Sequence, residues 1–181
     1  MDFFISDLHL GGRERLLYDG APFPSPAEMA DALVRNWNAT VGDDDRVFVL
    51  GDVADVRNGE NAELLRSLKG HKTLVMGNND GRGDAGAERW FLEAGFERVY
   101  PHPIVAKGFF ILSHEPLFLG PAAPFSNIFG HVHAHPAIAT ETAQTFCACA
   151  CRHNYTPVRY YQWDATRTDD TPSPLGFAEP S

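Results

Sequence analysis

At 181 residues, with 44% hydrophobic and 22% charged side chains, the chain has the length and composition of one globular domain with a substantial core. Its formal net charge of −9 argues against a general binder of duplex nucleic acid or anionic membrane, because those partners reward basic surfaces. No apolar run approaches the roughly 20 residues of a membrane span. The N-terminal Met1-Asp2-Phe3-Phe4-Ile5-Ser6 lacks the basic and apolar regions of a signal peptide, so a cytoplasmic location is expected.

Phe3-Phe4-Ile5 reads as a short apolar strand that breaks at Ser6-Asp7-Leu8-His9-Leu10-Gly11-Gly12, placing Asp7 and His9 at a strand-to-loop edge. After an irregular Gly/Pro-rich loop to Pro24, Ser25-Pro26-Ala27-Glu28 opens a helix. Ser25 is the N-cap, Pro26 takes the first helical position and Glu28 closes a capping box. Met29, Leu33, Trp37 and Val41 recur at helical spacing and face the core. Arg46 to Leu50 is a β-branched and aromatic run expected to be buried on both faces; it ends at Gly51-Asp52. A second helix is expected from about Asn61 to Leu68, with Leu64, Leu65 and Leu68 inward and Gly70 ending it. Lys72 to Met76 is a third strand, ending in Gly77-Asn78-Asn79-Asp80-Gly81, and Ala85 to Ala94 a third helix. This repeated strand–helix–strand alternation is the signature of an α/β fold.

The second half changes character. Short strands near Arg98–Tyr100, Ile104–Ala106 and Phe109–Ser113 suggest an antiparallel meander. Phe109–Leu112 runs into Ser113-His114-Glu115, and Asn127-Ile128-Phe129 into Gly130-His131-Val132-His133. Thr145–Ala150 and Val158–Trp163 read as two final strands. The domain is expected to span residues 1–164, with 165–181 a disordered tail rich in Thr, Asp, Pro and Ser. Cys147, Cys149 and Cys151 alternate along a strand and read as reduced core thiols rather than a disulfide framework.

Five strand ends thus deliver Asp7 and His9, Asp52, Asn78, His114, and His131 with His133: nitrogen and oxygen donors without a thiolate. Such ligands suit Mn, Fe, Zn, Co or Ni and disfavour a structural zinc site of the cysteine type. Residues two apart in an extended segment point the same way, so Asp7 with His9, and His131 with His133, are each expected to converge.

This ordered set, Asp-x-His, Gly-Asp-x-x-Asp, Gly-Asn-x-Asp, a lone His and Gly-His-x-His, each behind an apolar strand, resembles the calcineurin-like metallophosphoesterase superfamily. Within it the chain resembles the small single-domain bacterial and phage phosphoesterases from Phe3 to about Trp163, including flanking text such as Asn36-Trp37-Asn38 and Leu68-Lys69-Gly70. The resemblance implies a four-layer αββα sandwich, two mixed β-sheets with helices outside. It also implies two divalent metal ions, Mn foremost, bridged by Asp52. Asp7, His9 and His133 would hold one ion, and Asn78, His114 and His131 the other. A bridging carboxylate suits two cations about 3.5–4 Å apart, which together activate water for attack on a phosphate ester. The substrate implied is a small phosphate ester or nucleotide, a diester more than a monoester, with no duplex nucleic acid and no membrane as partner.

Many members of that superfamily carry His where this chain has Asn79. Asn donates a hydrogen bond to a phosphoryl oxygen but cannot deliver a proton; general acid catalysis is worth about 10²–10⁴-fold. Asp80 and His135 are the candidates for a substitute acid. Arg13, Arg57 and Arg82 follow the first three motifs and are candidates to contact phosphate, and Asp55 to orient a ligand histidine. Specificity is expected in the loops Gly11–Pro24 and Glu115–Ser126. The competing reading is a catalytically silent scaffold, since the same fold also serves as a protein-binding subunit of a membrane-trafficking coat.

Overall fold

A computed structural model describes residues 1–12, 21–56, 58–120, 122–135, 142, 144–161, 163 and 173–174. In chain order the elements are β1 (Asp2–Ile5), α1 (Pro26–Thr40), β2 (Arg46–Val49), α2 (Gly59–Arg66), β3 (His71–Val75), α3 (Ala85–Glu93), β4 (Phe96–Tyr100), β5 (Ile104–Ala106), β6 (Phe110–Leu112), β7 (Ser126–Phe129), β8 (Thr145–Cys147), a 3-10 turn (Ala150–Arg152) and β9 (Ser173–Pro174). They form an α/β sandwich of two sheets, ordered β1-β2-β3-β4 and β8-β7-β6-β5-β9. None of the described helices is long and apolar enough to cross a membrane.

The first sheet pairs its four strands parallel throughout, with Phe3 opposite Val47 and Ile5 opposite Val49. Period-two alternation then divides its side chains between two cores. Phe3, Ile5, Val47, Val49, Leu74 and Met76 pack against the helices, and Phe4, Phe48, Leu50 and Val75 against the second sheet. Because successive strands lie side by side in chain order, each crossover steps the same way. All three helices therefore cover one face: Leu33 and Trp37 of α1, Leu65 of α2 and Phe91 of α3 share a single apolar cluster. Helix α1 begins as its residues dictate, with the Ser25 hydroxyl accepting from the Glu28 amide at 3.2 Å and Pro26 in the first turn. A cap of this kind contributes about 1 kcal/mol.

The second sheet is mixed: β5 runs antiparallel to β6 and β9, while β6, β7 and β8 are parallel. Its inner face supplies Ile104, Phe110, Leu112 and Ile128 to the inter-sheet core, which Trp163 closes against Phe4 at 5.0 Å. Phe129, Val132, Cys147 and Cys149 form a small separate cluster, with Cys151 packed against it; all three cysteines are free thiols.

Two expectations need correction. The strand near Arg98–Tyr100 does not open an antiparallel meander; it is β4, parallel to β3, so the chain changes sheets between Tyr100 and Ile104. A short strand pattern carries no record of which neighbour it pairs with. Among the described residues the expected strand Val158–Trp163 reduces to one bridge from Val158 to Phe4, and Tyr160 and Trp163 serve as side-chain plugs of the inter-sheet core. In the tail, Ser173–Pro174 pairs with β5, and the rest of 165–181 lies outside the described residues.

Candidate metal centre

Parallel pairing brings the carboxyl ends of β1, β2 and β3 to one edge, where ligands bind in open α/β sheets. The loops beyond them run side by side. The amides of Asp7, His9 and Leu10 donate to the carbonyls of Gly51, Asp52 and Val53 at 2.9, 3.0 and 2.9 Å. The loops after β6 and β7 meet them from the second sheet, with the amide of His131 donating to Asp7 Oδ2 at 2.9 Å. Glycine is required where backbones touch. A Cβ on Gly77 would lie 2.3 Å from Asp52 Oδ1, and one on Gly51 would lie 2.5 Å from His114 Nδ1.

Asp7, His9 and His133 come together. His133 Nε2 lies 3.3 Å from Asp7 Oδ1 and 3.3 Å from His9 Nε2, and His9 Nε2 lies 3.9 Å from the same oxygen. Asp7 Oδ1 is buried without a hydrogen-bond partner among the described residues, while Oδ2 is held by the Ser6 hydroxyl and the His131 amide. A buried carboxylate oxygen left unbonded costs about 1–3 kcal/mol or more. Here it faces two imidazole nitrogens, the donor chemistry of a divalent-cation site.

A second group adjoins the first. Asp7, Asp52 and His114 each offer a ligand atom within 4.8 Å of the others. His114 is its hub: Nε2 lies 3.4 Å from Asp52 Oδ1, 3.1 Å from Asn78 Oδ1 and 3.1 Å from His131 Nδ1. Its Nδ1 donates to the Leu50 carbonyl at 2.8 Å, so in the neutral ring the Nε2 lone pair faces the cluster. Asp52 Oδ2 points the other way, 3.7 Å from His9 Nε2, so its two oxygens face the two groups. Burial opposes charge on Asp52, but the hydrogen bond and charge of His114, the Asn79 amide and His9 outweigh it. Its carboxyl stays well below the usual range. Burial likewise opposes charge on the His114 ring, but Asp52 with Asp7 outweighs it and holds its pKa above the ordinary imidazole value. The cluster attracts positive charge. These buried Asp and His groups can hold a metal ion.

The pairs converge for a different reason than the one read from spacing. Asp7, His9, Asp52, His131 and His133 all take left-handed backbone conformations, with φ of 58, 44, 55, 71 and 47°. They are five of the eight described non-glycine residues with positive φ. In both x-His motifs the middle residue, Leu8 or Val132, is buried in the core, and the flanking pair is turned into the cluster by left-handed backbone rather than by an extended segment. Strain of this kind costs about 1–3 kcal/mol per residue and collects at functional sites. The His131–Val132–His133 pair also divides: His133 joins Asp7 and His9, and His131 joins His114.

The candidate acids fare differently. Asp80 has no exposed surface, and its carboxylate accepts the amides of Asp52, Val53 and Gly77. Buried beneath those amides, Asp80 is not placed to reach an ester as the expected acid. His135 is exposed in the turn beyond His133, its amide on the Val132 carbonyl at 3.1 Å. Asn79 is exposed and bonds both oxygens of Asp52, from Nδ2 at 2.6 Å and from its amide at 3.0 Å. Arg82 is not aimed at a ligand; it braces the Met76 carbonyl and pairs with both oxygens of Glu115 at 2.9 Å. Arg13 and Arg57 lie outside the described residues. A cleft of about 490 Å³ opens beside His9 and Asp52, between Gly11–Gly12 and Ala54–Val56, with Asn79 and Asp55 in its lining. That size suits a small molecule.

Sequence reasoning missed the supports: Ser6 on Asp7, Arg152 on the His133 carbonyl, and Asn127, whose buried amide holds the loop after His114 through the Ser113 hydroxyl and the Leu117 amide. Asn127 sits within an apolar strand, and a polar residue there was the available signal.

No protein-family model matches the chain. It is 36% identical over 84 residues to "Uncharacterized protein MJ1445" of Methanocaldococcus jannaschii, covering 45% of this chain and 48% of that protein. It is 30% identical over 104 residues to "Gene 66 protein" of Mycobacterium phage L5, covering 55% and 49%. The chain thus spans about half the length of the curated relatives it matches. Among solved structures, the protein of unknown function AQ665 from Aquifex aeolicus superposes with a TM-score of 0.69 over 91% of this chain and 98% of that one. At 23% identity the likeness is one of fold.

Proposed function

We propose that the chain is a metal-dependent phosphoesterase of the calcineurin-like type, its cluster holding two divalent ions, Mn first among Fe, Zn, Co and Ni. The observation that carries the reading is the pair of adjoining ligand groups that share buried Asp7, with Asp52 presenting one oxygen to each side. Asp7, His9 and His133 would hold one ion, and Asn78, His114 and His131 the other, with Asp52 between them. Two ions so held supply a nucleophilic water at neutral pH and positive charge for the phosphoryl oxygens. The rest falls to the chain. Gly11–Gly12 and Ala54–Val56 wall the cleft in which an ester lies beside the cluster. Asn79, exposed at that cleft, donates a hydrogen bond to a phosphoryl oxygen and has no proton to give. Departure of the leaving group then goes unassisted from this position, which favours phosphodiesters and esters with acidic leaving groups over alkyl monoesters. His135 is the remaining candidate donor.

The test is metal analysis of the purified protein, with turnover of model phosphate diesters and monoesters in Mn²⁺. Bound metal with faster diester hydrolysis is expected. Neither metal nor turnover of either ester would refute the proposal and favour a protein-binding scaffold. Should turnover occur, pH–rate profiles of the parent and His135→Ala decide the donor: a change in the alkaline limb, where a proton donor is lost, assigns it, and identical profiles exclude it.

A further inference from the structure

Asp80 belongs to neither ligand group, yet it is among the most deeply placed charged residues described, with 0% exposure. Its Oδ2 accepts the amide protons of Asp52 and Gly77 and its Oδ1 that of Val53, each at 2.8 Å. These amides come from two loops, one after β2 and one after β3. The successive amides of Asp52 and Val53 curl around one carboxyl group as a nest, and the Gly77 amide joins them from the neighbouring loop.

Two details tie this contact to the metal centre rather than to the core in general. The amides of Asp52 and Val53 flank the two backbone dihedrals of Asp52, the residue held at a φ of 55°. Pinning both amides pins that left-handed turn, a conformation disfavoured for any residue with a Cβ. The bond to Gly77 draws the neighbouring loop against the same turn, so closely that a Cβ at Gly77 would lie 2.6 Å from the Asp52 nitrogen. Asn78 follows directly. We infer that Asp80 is a positioning residue of the metal centre: its carboxylate sets the turn that aims Asp52 at His9 and His114 together, and it locks the loop bearing Asn78 in place beside it.

This inference rests on the metal-centre reading, and its test separates the two. Asp80→Asn keeps the shape, but one oxygen becomes an NH₂ that meets a backbone donor with another donor, so at least one of the three amides loses its partner. In that variant the amide protons of Asp52, Val53 and Gly77 should exchange faster, and titration with Mn²⁺ alone should show binding weakened by about tenfold or more. Leu65→Ala, a truncation in the helix-side core, should lower Tm while leaving both readouts unchanged. Should Asp80→Asn not fold, Asp80→Glu retains the charge on a longer arm and should weaken Mn²⁺ binding in the same direction, by less. Parental Mn²⁺ affinity and parental amide exchange in whichever of these folds would overturn the inference, as would equal weakening of Mn²⁺ binding in Leu65→Ala. A parent protein that bound no Mn²⁺ would overturn the metal-centre reading and this inference with it. A parent that binds, with Asp80→Asn indistinguishable from it, would overturn the inference alone.

Discussion

The two sheets contribute unequal halves to the cluster. The first-sheet half, Asp7, His9, Asp52 and Asn78, stands on loops bonded to one another: the Asp7 and His9 amides reach the Gly51 and Asp52 carbonyls, and Asp80 ties the Asp52 and Gly77 loops together. The second-sheet half, His114, His131 and His133, takes much of its orientation from the first. His114 is turned by the Leu50 carbonyl, and the His131 loop is anchored on the carboxylate of Asp7. One half is a frame and the other is hung on it. The difference is topological: adjacent parallel strands end together and their loops can bond directly, whereas facing sheets stand about 10 Å apart and meet only at their edges.

That asymmetry predicts where changes do most harm. The largest effect is expected from Asp52→Asn, which removes the carboxylate facing both ligand groups: ester turnover should fall to background, and metal analysis should find the two-ion content lost. Wild-type rates would rule out a bridging role. Next comes Gly77→Ala, whose methyl would collide with Asp52 Oδ1. A clash against backbone and a fixed carboxylate should cost about 3 kcal/mol, seen as a fall in Tm of about 10 °C. Gly59→Ala, in open space at the first turn of α2, should be neutral or slightly stabilising in the same assay. A Gly77→Ala protein as stable as the parent would break the picture of a rigid frame.

A change confined to the hung half should do less. His131→Ala leaves Asp7, His9 and His133 bonded as before, so Mn²⁺ titration should show one site weakened and one preserved; loss of both would make the halves mutually dependent. The smallest effect is expected at the rim. Burial pushes the Glu115 carboxyl up, but hydrogen bonds and charge from Arg82 outweigh it and leave it below the ordinary value of 4.5. A depressed folded pKa contributes stability that is present above the unfolded value and is lost as pH falls through the folded one. Arg82→Met should therefore cost under about 1 kcal/mol at neutral pH, given the exposure of the pair. The difference from the parent should shrink as denaturation is measured progressively below pH 4.5. A gap that widened with acid would contradict the assignment.

How much of this was legible beforehand varies by residue. The apolar runs before Asp7, Asp52 and Asn78 marked strand ends because strands buried on both faces must be continuously apolar and must break where polar groups emerge. The Ser25 cap and the Met29–Leu33–Trp37 stripe are local signals, and they correspond to α1 almost residue for residue. Spacing shows only that Asp80 follows Asn79, whereas its amide partners lie up to 28 positions away. Arg152 and Asn127 escape notice for the same reason, their partners lying 10 to 19 positions away; Ser6 adjoins Asp7, but spacing does not show which way its hydroxyl turns.

The chain by itself determined its α/β class, the three helices, and the inventory of imidazole, carboxylate and amide donors at strand ends, because periodicity and capping act over a few residues. Tertiary structure decided which sheet took Phe96–Tyr100, which of His131 and His133 joined Asp7, and which loops were forced into left-handed turns. Those outcomes depend on contacts between segments as much as 126 positions apart, such as His133 Nε2 against Asp7 Oδ1 at 3.3 Å. Pairing partner, side-chain direction and backbone strain arise only once distant segments compete for the same space.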